Sequence, residues 1–205
     1  MNAQHRNQTL GTVSRTADTT HARRLLVSAG KALLFAGLMW ASAAAGEIPV
    51  PGTPVPITLQ TFVVMLAALT LTWREAGSSV AMYLAAGAAG MPVFAGGAST
   101  AALFGPSAGF LIGFLPGVIV AAMLRGKART GSAGQRALTA LRYFGASLAG
   151  CVVVVYAFGF VIQSALTGAP LGAVALASMG FVAGDLVKAA VASLACAGFS
   201  GLIHR

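Results

Sequence analysis

Asp185 and Lys188 stand three residues apart inside an otherwise apolar run, and no other acidic residue of this chain falls within such a run. That spacing puts both on one face of a helix. Each charge at mid-bilayer depth costs about 2.5–3.5 kcal/mol on insertion scales, a cost sustained only where the groups face a protein interior or a wet cavity. The chemistry available to them is recognition: the carboxylate accepts from a ligand's N–H groups, while the ammonium donates to a carbonyl or carboxylate. An intrahelical pair that serves packing alone is the other reading. The remaining acidic residues are Asp18 near the N-terminus and Glu47 and Glu75 at the ends of apolar runs.

Catalytic constellations do not accompany this pair, and an enzyme is not expected. His5, His21 and His204 all lie near the chain ends, which removes the commonest general base from the apolar runs. Gly30-Lys31 and Gly126-Lys127 are each followed by alanine, so neither forms a P-loop. No serine sits in a G-x-S-x-G elbow. Cys151 and Cys196 lack metal-ligand spacing and read as small core residues. Neither a cofactor nor a metal is implied.

The elements that must carry the pair belong to a membrane protein. Apolar residues make up 57% of the chain, charged residues 8%, and mean hydropathy is +0.83, too little polar surface to cover a water-soluble domain. The net charge of +9 does not point to nucleic acid, because the basic residues fall in short clusters between apolar runs. Six runs of spanning character cover roughly Leu25 to Ala45, Ile57 to Thr72, Ser78 to Met91, Gly105 to Leu124, Leu138 to Leu166 and Val174 to Ile203. Arg6, Arg15, Arg23 and Arg24 precede the first run, and Arg74 lies between the second and third. Arg125, Lys127, Arg129 and Arg136 follow the fourth, and Arg205 ends the chain. With six spans and both termini cytoplasmic, every cluster is inside, and the connections near residues 46–56, 92–104 and 167–173 are outside. Residues 1–24 read as a mobile cytoplasmic tail and residues 25–205 as one six-helix membrane domain. Arg23-Arg24 ahead of an apolar stretch ending Ala41-Ser-Ala43-Ala-Ala45 also has the form of a cleavable secretory signal. Cleavage would leave five spans and a less consistent charge distribution, and Lys31 interrupts the apolar stretch.

Two outer connections are unusual. Four of the eight prolines fall between Pro49 and Pro56, where no helix can continue. The second and third runs, about 24 and 21 Å as helices, fall short of a hydrocarbon core of roughly 30 Å. The proline segment and the stretch Gly90-Met-Pro92-Val-Phe94-Ala-Gly96-Gly97 are therefore expected to re-enter the outer leaflet. Non-helical backbone is tolerated there only where it is buried or lines a cavity. Asp185 and Lys188 share that depth. Gln60 and Thr58, at the outer start of a short span, are further polar candidates, and Tyr83 and Phe94 are aromatic candidates for stacking or for plain packing.

The runs Ile48-Pro-Val-Pro-Gly-Thr-Pro54-Val-Pro56-Ile-Thr58-Leu-Gln60-Thr61, Tyr83 to Gly97, Phe104-Gly105-Pro106-Ser-Ala-Gly109-Phe110 and Gly184-Asp185-Leu-Val-Lys188 together resemble the BioY family. Its members are the biotin-specific substrate-binding (S) components of energy-coupling-factor transporters, and the resemblance covers about residues 25–203. It implies a six-helix protein of the bacterial inner membrane that captures biotin from outside. It also implies work with a transmembrane coupling subunit and a pair of ABC-type ATPase subunits. A carrier that acts alone is the alternative. Under the resemblance, Asp185 accepts from the ureido N–H groups and Lys188 donates to the ureido carbonyl or holds Asp185 ionised; a reversed pose puts Lys188 on the biotin carboxylate. Thr58, Gln60, Pro56, Tyr83 and Phe94 are the other expected contacts. Gly96 and Gly97 would offer backbone N–H groups in place of an amide, since no asparagine follows Asn7. Ala32 and Ala36 are the expected docking pair for the coupling subunit, as a small-xxx-small pattern.

Overall fold

The structure is a computed structural model that describes residues 3–129 and 131–203, with side chains described for 22–129 and 131–199. The first apolar run becomes helix α1 (Ala3–Ala44), whose backbone runs helical through most of the residues assigned to the tail. The side chains of residues 1–21 lie outside the described ones. Beyond them, α1 buries Ala32, Met39, Ser42 and Ala43 on one stripe at helical spacing, and leaves Leu33, Leu34 and Trp40 exposed.

The proline segment is the tip of a two-stranded hairpin. Strand β1 (Glu47–Ile48) pairs antiparallel with β2 (Ile57–Thr58), Glu47 opposite Thr58 and Ile48 opposite Ile57. Helix α2 (Gln60–Thr70) follows at once, then α3 (Trp73–Ala88). Both differ from the expected runs: α2 is shorter than Ile57 to Thr72, and α3 starts before Ser78 and stops before Met91. The reason is capping. Thr72 and Glu75 form a reciprocal capping box that starts α3 early, and the carboxylate of Glu75 also accepts from Ser28 Oγ at 2.9 Å and Lys31 Nζ at 3.3 Å on α1. This tight turn ties α1, α2 and α3 together at one end of the bundle.

After α3 the chain makes two 3-10 turns, Ala95–Gly97 and Thr100–Leu103, before α4 (Ala108–Leu124). Helix α5 (Ala133–Ser147) continues through a π-helical stretch (Leu148–Val154) into α6 (Val155–Thr167) without a break. The last apolar run is divided: α7 (Leu171–Ala177) ends at Ser178, and α8 (Met179–Ile203) begins beyond it. The expected single span from Val174 is therefore two helices. Ala22–Ala44, Ala133–Thr167 and Met179–Phe199 are long and apolar enough to cross a membrane, while Gln60–Thr70 and Ala108–Leu124 are apolar but shorter.

Backbone-to-backbone packing joins α4 to the α5–α6 unit. Gly109, Gly113 and Gly117 recur every four residues along α4, so they form one stripe. A Cβ at Gly109 would overlap the Phe158 carbonyl, one at Gly150 would overlap the Gly117 carbonyl, and one at Gly113 would lie 3.1 Å from the Val155 Cα. Helices approach this closely only when side chains are absent.

Candidate functional site

The hairpin, the 3-10 turns and four helices enclose a cavity of about 450 Å³. One wall is the proline segment, from which Pro49, Val50, Thr53, Pro54, Val55 and Pro56 face inward. Opposite stand Phe110 and Phe114 of α4, Tyr156 of α6 and Phe181 at the start of α8. The Phe110 ring meets Phe181 edge-on at 5.9 Å and Tyr156 at 6.2 Å. These contacts give the middle of the cavity an aromatic surface suited to a flat, partly apolar ligand.

Polar groups converge at one end. The Lys188 ammonium donates to the Asp185 carboxylate (2.9 Å), the Thr61 hydroxyl (2.9 Å) and the Thr58 carbonyl (2.8 Å). Thr61 in turn donates to Asp185 Oδ1 at 2.9 Å, and Tyr156 donates to Oδ2 at 2.7 Å. Asp185 is 4% exposed, so its charge is held by three donors in a nearly dry site. The valence count is asymmetric. An ammonium has three N–H donors and all are used, whereas a carboxylate takes about four hydrogen bonds and Asp185 has three. An incoming ligand therefore finds an open acceptor on Oδ2 and no open donor on Lys188.

The cluster is assembled from three elements. Asp185 and Lys188 come from successive turns of α8, as the i, i+3 spacing requires. Thr58 and Thr61 flank the entry to α2, where β2 ends and the first helical N–H groups lack intrahelical partners. Tyr156 follows the π-helical stretch, whose wider turn shifts the register of what comes after it. The glycine contacts between α4 and α6 bring that turn close enough for the phenol to reach α8.

Thr58, Gln60, Phe94, Pro56, Asp185 and Lys188 all line the cavity, as expected from sequence. Gln60 is committed internally: its amide nitrogen donates to the Tyr83 hydroxyl and its amide oxygen accepts from Thr58 at 3.0 Å. Tyr83 lies one layer behind the wall. Its hydroxyl donates to the Val93 carbonyl at 2.9 Å, and its ring stacks edge-on against Phe94 at 5.3 Å, so it positions Phe94 and Gln60 and does not face the cavity. Gly87 permits this arrangement, because a Cβ there would overlap the Phe94 ring. Gly96 and Gly97 also stand off the cavity. Their φ values of 65° and 74° shape the turn that presents Ala95 and Ala98 to it, and Gly96 lies beside the Glu47 carboxylate. Ala32 is 2% exposed within the chain's own core, so it offers no free surface to a partner, while Ala36 is half-buried. Sequence reasoning did not single out Thr61, Tyr156, Phe110 or Phe181. Tyr156 carries one usable signal, a hydroxylated aromatic deep in an apolar run.

A multi-pass helical membrane protein with a cavity of mixed polarity, and with its ionisable pair committed to hydrogen bonding, belongs to the solute-binding transporter class. Comparison with known proteins gives the family. The model of the BioY family matches residues 14–205, and the chain belongs to that family. It is 36% identical over 163 residues to the biotin transporter BioY of Rhizobium etli, covering 78% of this chain and 86% of that protein. It is 38% identical over 173 residues to the biotin transporter BioY of Rhodobacter capsulatus, with the same coverage, 78% and 86%. With the biotin transporter BioY of Thermotoga maritima it shares 34% over 166 residues, 79% of this chain and 91% of that protein. The fold matches the crystal structure of the S-component for biotin from an ECF-type ABC transporter with a TM-score of 0.77 and 23% identity, covering 87% of this chain and 93% of that one.

Proposed function

We propose that this chain binds biotin in the 450 Å³ cavity and delivers it as the S component of an energy-coupling-factor transporter in the bacterial inner membrane. The observation that carries the reading is the open acceptor on Asp185 beside an aromatic surface. Biotin's ureido ring presents two N–H donors, its thiophane ring and aliphatic tail are apolar, and both find a complementary wall here. The reading orients the ureido ring toward Asp185, with Lys188 bonded to the carboxylate and fixing its orientation. The reversed pose, with Lys188 on the biotin carboxylate, requires the ammonium to give up one of its three partners.

In the same reading the chain spans six times: α1, α2, α3, α4, the α5–α6 unit and α8. The hairpin and the 3-10 turns re-enter the outer leaflet, and both termini are cytoplasmic. Supporting this are Arg74 and Arg125, which follow the ends of α2 and α4 farther from the cavity, and the shortness of α2, about 16 Å by its eleven residues. Energy for uptake comes from a coupling subunit and two ATPase subunits. The half-buried face around Ala36 is the part of the small-residue pattern still available for docking.

Purification in mild detergent without added ligand, followed by mass spectrometry of the retained small molecules, tests the reading. Biotin released on denaturation at near-stoichiometric amounts is expected. Absence of biotin, together with no binding on adding it back, overturns it. Uptake in cells lacking every coupling and ATPase subunit would favour the lone carrier.

A further inference from the structure

The end of the bundle opposite the biotin cavity carries a second cavity of about 740 Å³. Its walls are apolar, with Phe35 of α1, Phe62 and Leu66 of α2 and Phe199 of α8, and its rim is the loop Arg125-Gly126-Lys127-Ala128 that follows α4. Arg142 of α5 leans on this rim. Its Nη2 donates to the Lys127 carbonyl, and its guanidinium carbon lies 3.1 Å from where a Gly126 Cβ would be.

None of these cations has a counter-ion among the described residues. The chain has four acidic residues against thirteen basic ones. Glu75 is paired with Lys31 and Asp185 with Lys188, and Glu47 lies on the hairpin at the biotin cavity. Arg125 and Arg142 are held by neutral carbonyls, those of Leu69 and Lys127, which fix the guanidinium groups without cancelling their charge. The Arg142 Nε is in addition buried with no hydrogen-bond partner. An apolar cavity rimmed by fixed guanidinium groups and an exposed ammonium, none with a counter-ion among the described residues, suits a ligand with an acyl body and an anionic head.

We propose that this cavity holds an anionic diacyl phospholipid of the cytoplasmic leaflet, its phosphate on Lys127 and Arg142 and an acyl chain against Phe62 and Phe199. The proposal rests on the membrane orientation given above, under which this end of the bundle faces the cytoplasm. Guanidinium groups bind phosphate oxygens in pairs, and each basic residue at an anionic leaflet adds appreciably to affinity.

The test is native mass spectrometry of the purified chain titrated with phosphatidylglycerol and with phosphatidylcholine of the same acyl chains. Phosphatidylglycerol is expected to bind more tightly. The double variant Lys127→Gln/Arg142→Gln should weaken it about 30-fold, and the exposed single variant Lys127→Gln about 5-fold, with phosphatidylcholine and biotin binding unchanged. Retained biotin binding shows that the variants fold, and it separates this test from that of the biotin site. Equal affinity for the two lipids overturns the proposal, as does an unchanged phosphatidylglycerol affinity in the double variant. Full competition by glycerol phosphate would reduce the site to a simple anion site and also overturn it. Protection of Lys127 from acylation by a coupling subunit, but not by phosphatidylglycerol, would assign the cavity to a protein partner instead.

Discussion

Asp185→Asn separates ligand recognition from the integrity of the polar cluster. The asparagine amide oxygen can take the place of Oδ1 and keep the Lys188 and Thr61 contacts at 2.9 Å. Its amide nitrogen then replaces Oδ2 and donates to the Tyr156 hydroxyl, which turns to accept. The fold is thus expected to survive with a modest loss of thermal stability. Biotin fares worse, because its ureido N–H now meets an N–H where it had met a carboxylate oxygen. The loss is one hydrogen bond to a charged group, about 1.5–3 kcal/mol, plus a buried donor left unpaired, about 1–3 kcal/mol. Together these weaken binding roughly a hundred- to ten-thousand-fold, at about 1.4 kcal/mol per tenfold. Isothermal titration of the purified chain with biotin and with biotin methyl ester measures it. Equal losses for both ligands are expected from the proposed pose, which directs the biotin carboxylate away from Asp185. A loss under tenfold refutes the valence count, and a loss confined to free biotin refutes the pose.

Tyr156→Phe removes the 2.7 Å donor to Oδ2 and should weaken biotin binding about 5- to 50-fold by calorimetry, while leaving the cavity walls in place. Gly150→Val drives a side chain into the Gly117 carbonyl, and a drop in thermal stability of about 1–3 kcal/mol or more is expected in a melting assay. Glu75 sits in the first turn of α3, where its carboxylate accepts from the Thr72 backbone N–H, the Thr72 hydroxyl, Ser28 and Lys31. Glu75→Ala removes the reciprocal capping box and the ties to α1, and should lower stability by about 1–2 kcal/mol in a melting assay. Ala36→Leu is expected to abolish uptake with biotin binding intact, whereas Ala32→Leu, in the packed core, should lower the melting temperature and binding together.

Much of the site was legible because its signals are violations of local rules. Charges inside an apolar run and prolines packed between two helices are costly features, and Asp185, Lys188, Thr58 and the 49–56 segment all face the cavity as their oddity suggested. Tyr156 breaks no rule where it stands. Its role depends on a π-helical turn and on glycine contacts between α4 and α6, both of which arise from three-dimensional packing. Gly96 and Gly97 are less legible, because the same backbone freedom suits a ligand contact or a turn, and here it shapes the turn beside the cavity. The burial of Ala32 was not legible, because small residues suit helix contacts of every kind and the pattern does not say whether the neighbouring helix belongs to the same chain. The division of the last run at Ser178 was hidden because α7 and α8 are equally apolar.

Helix α1 is fastened at two points that lie on opposite sides of the bundle. At one, Ser28 and Lys31 are bonded to Glu75; at the other, the helix runs within three residues into the strand whose partner leads straight to Thr58 and Gln60. It is a strut with one foot in the turn between α2 and α3 and the other in the roof of the cavity. Such a strut cannot tilt without either lifting the roof or breaking the Glu75 cluster. A force applied to the exposed flank of α1 would thereby reach the roof of the cavity, although no described residue of α1 lines it.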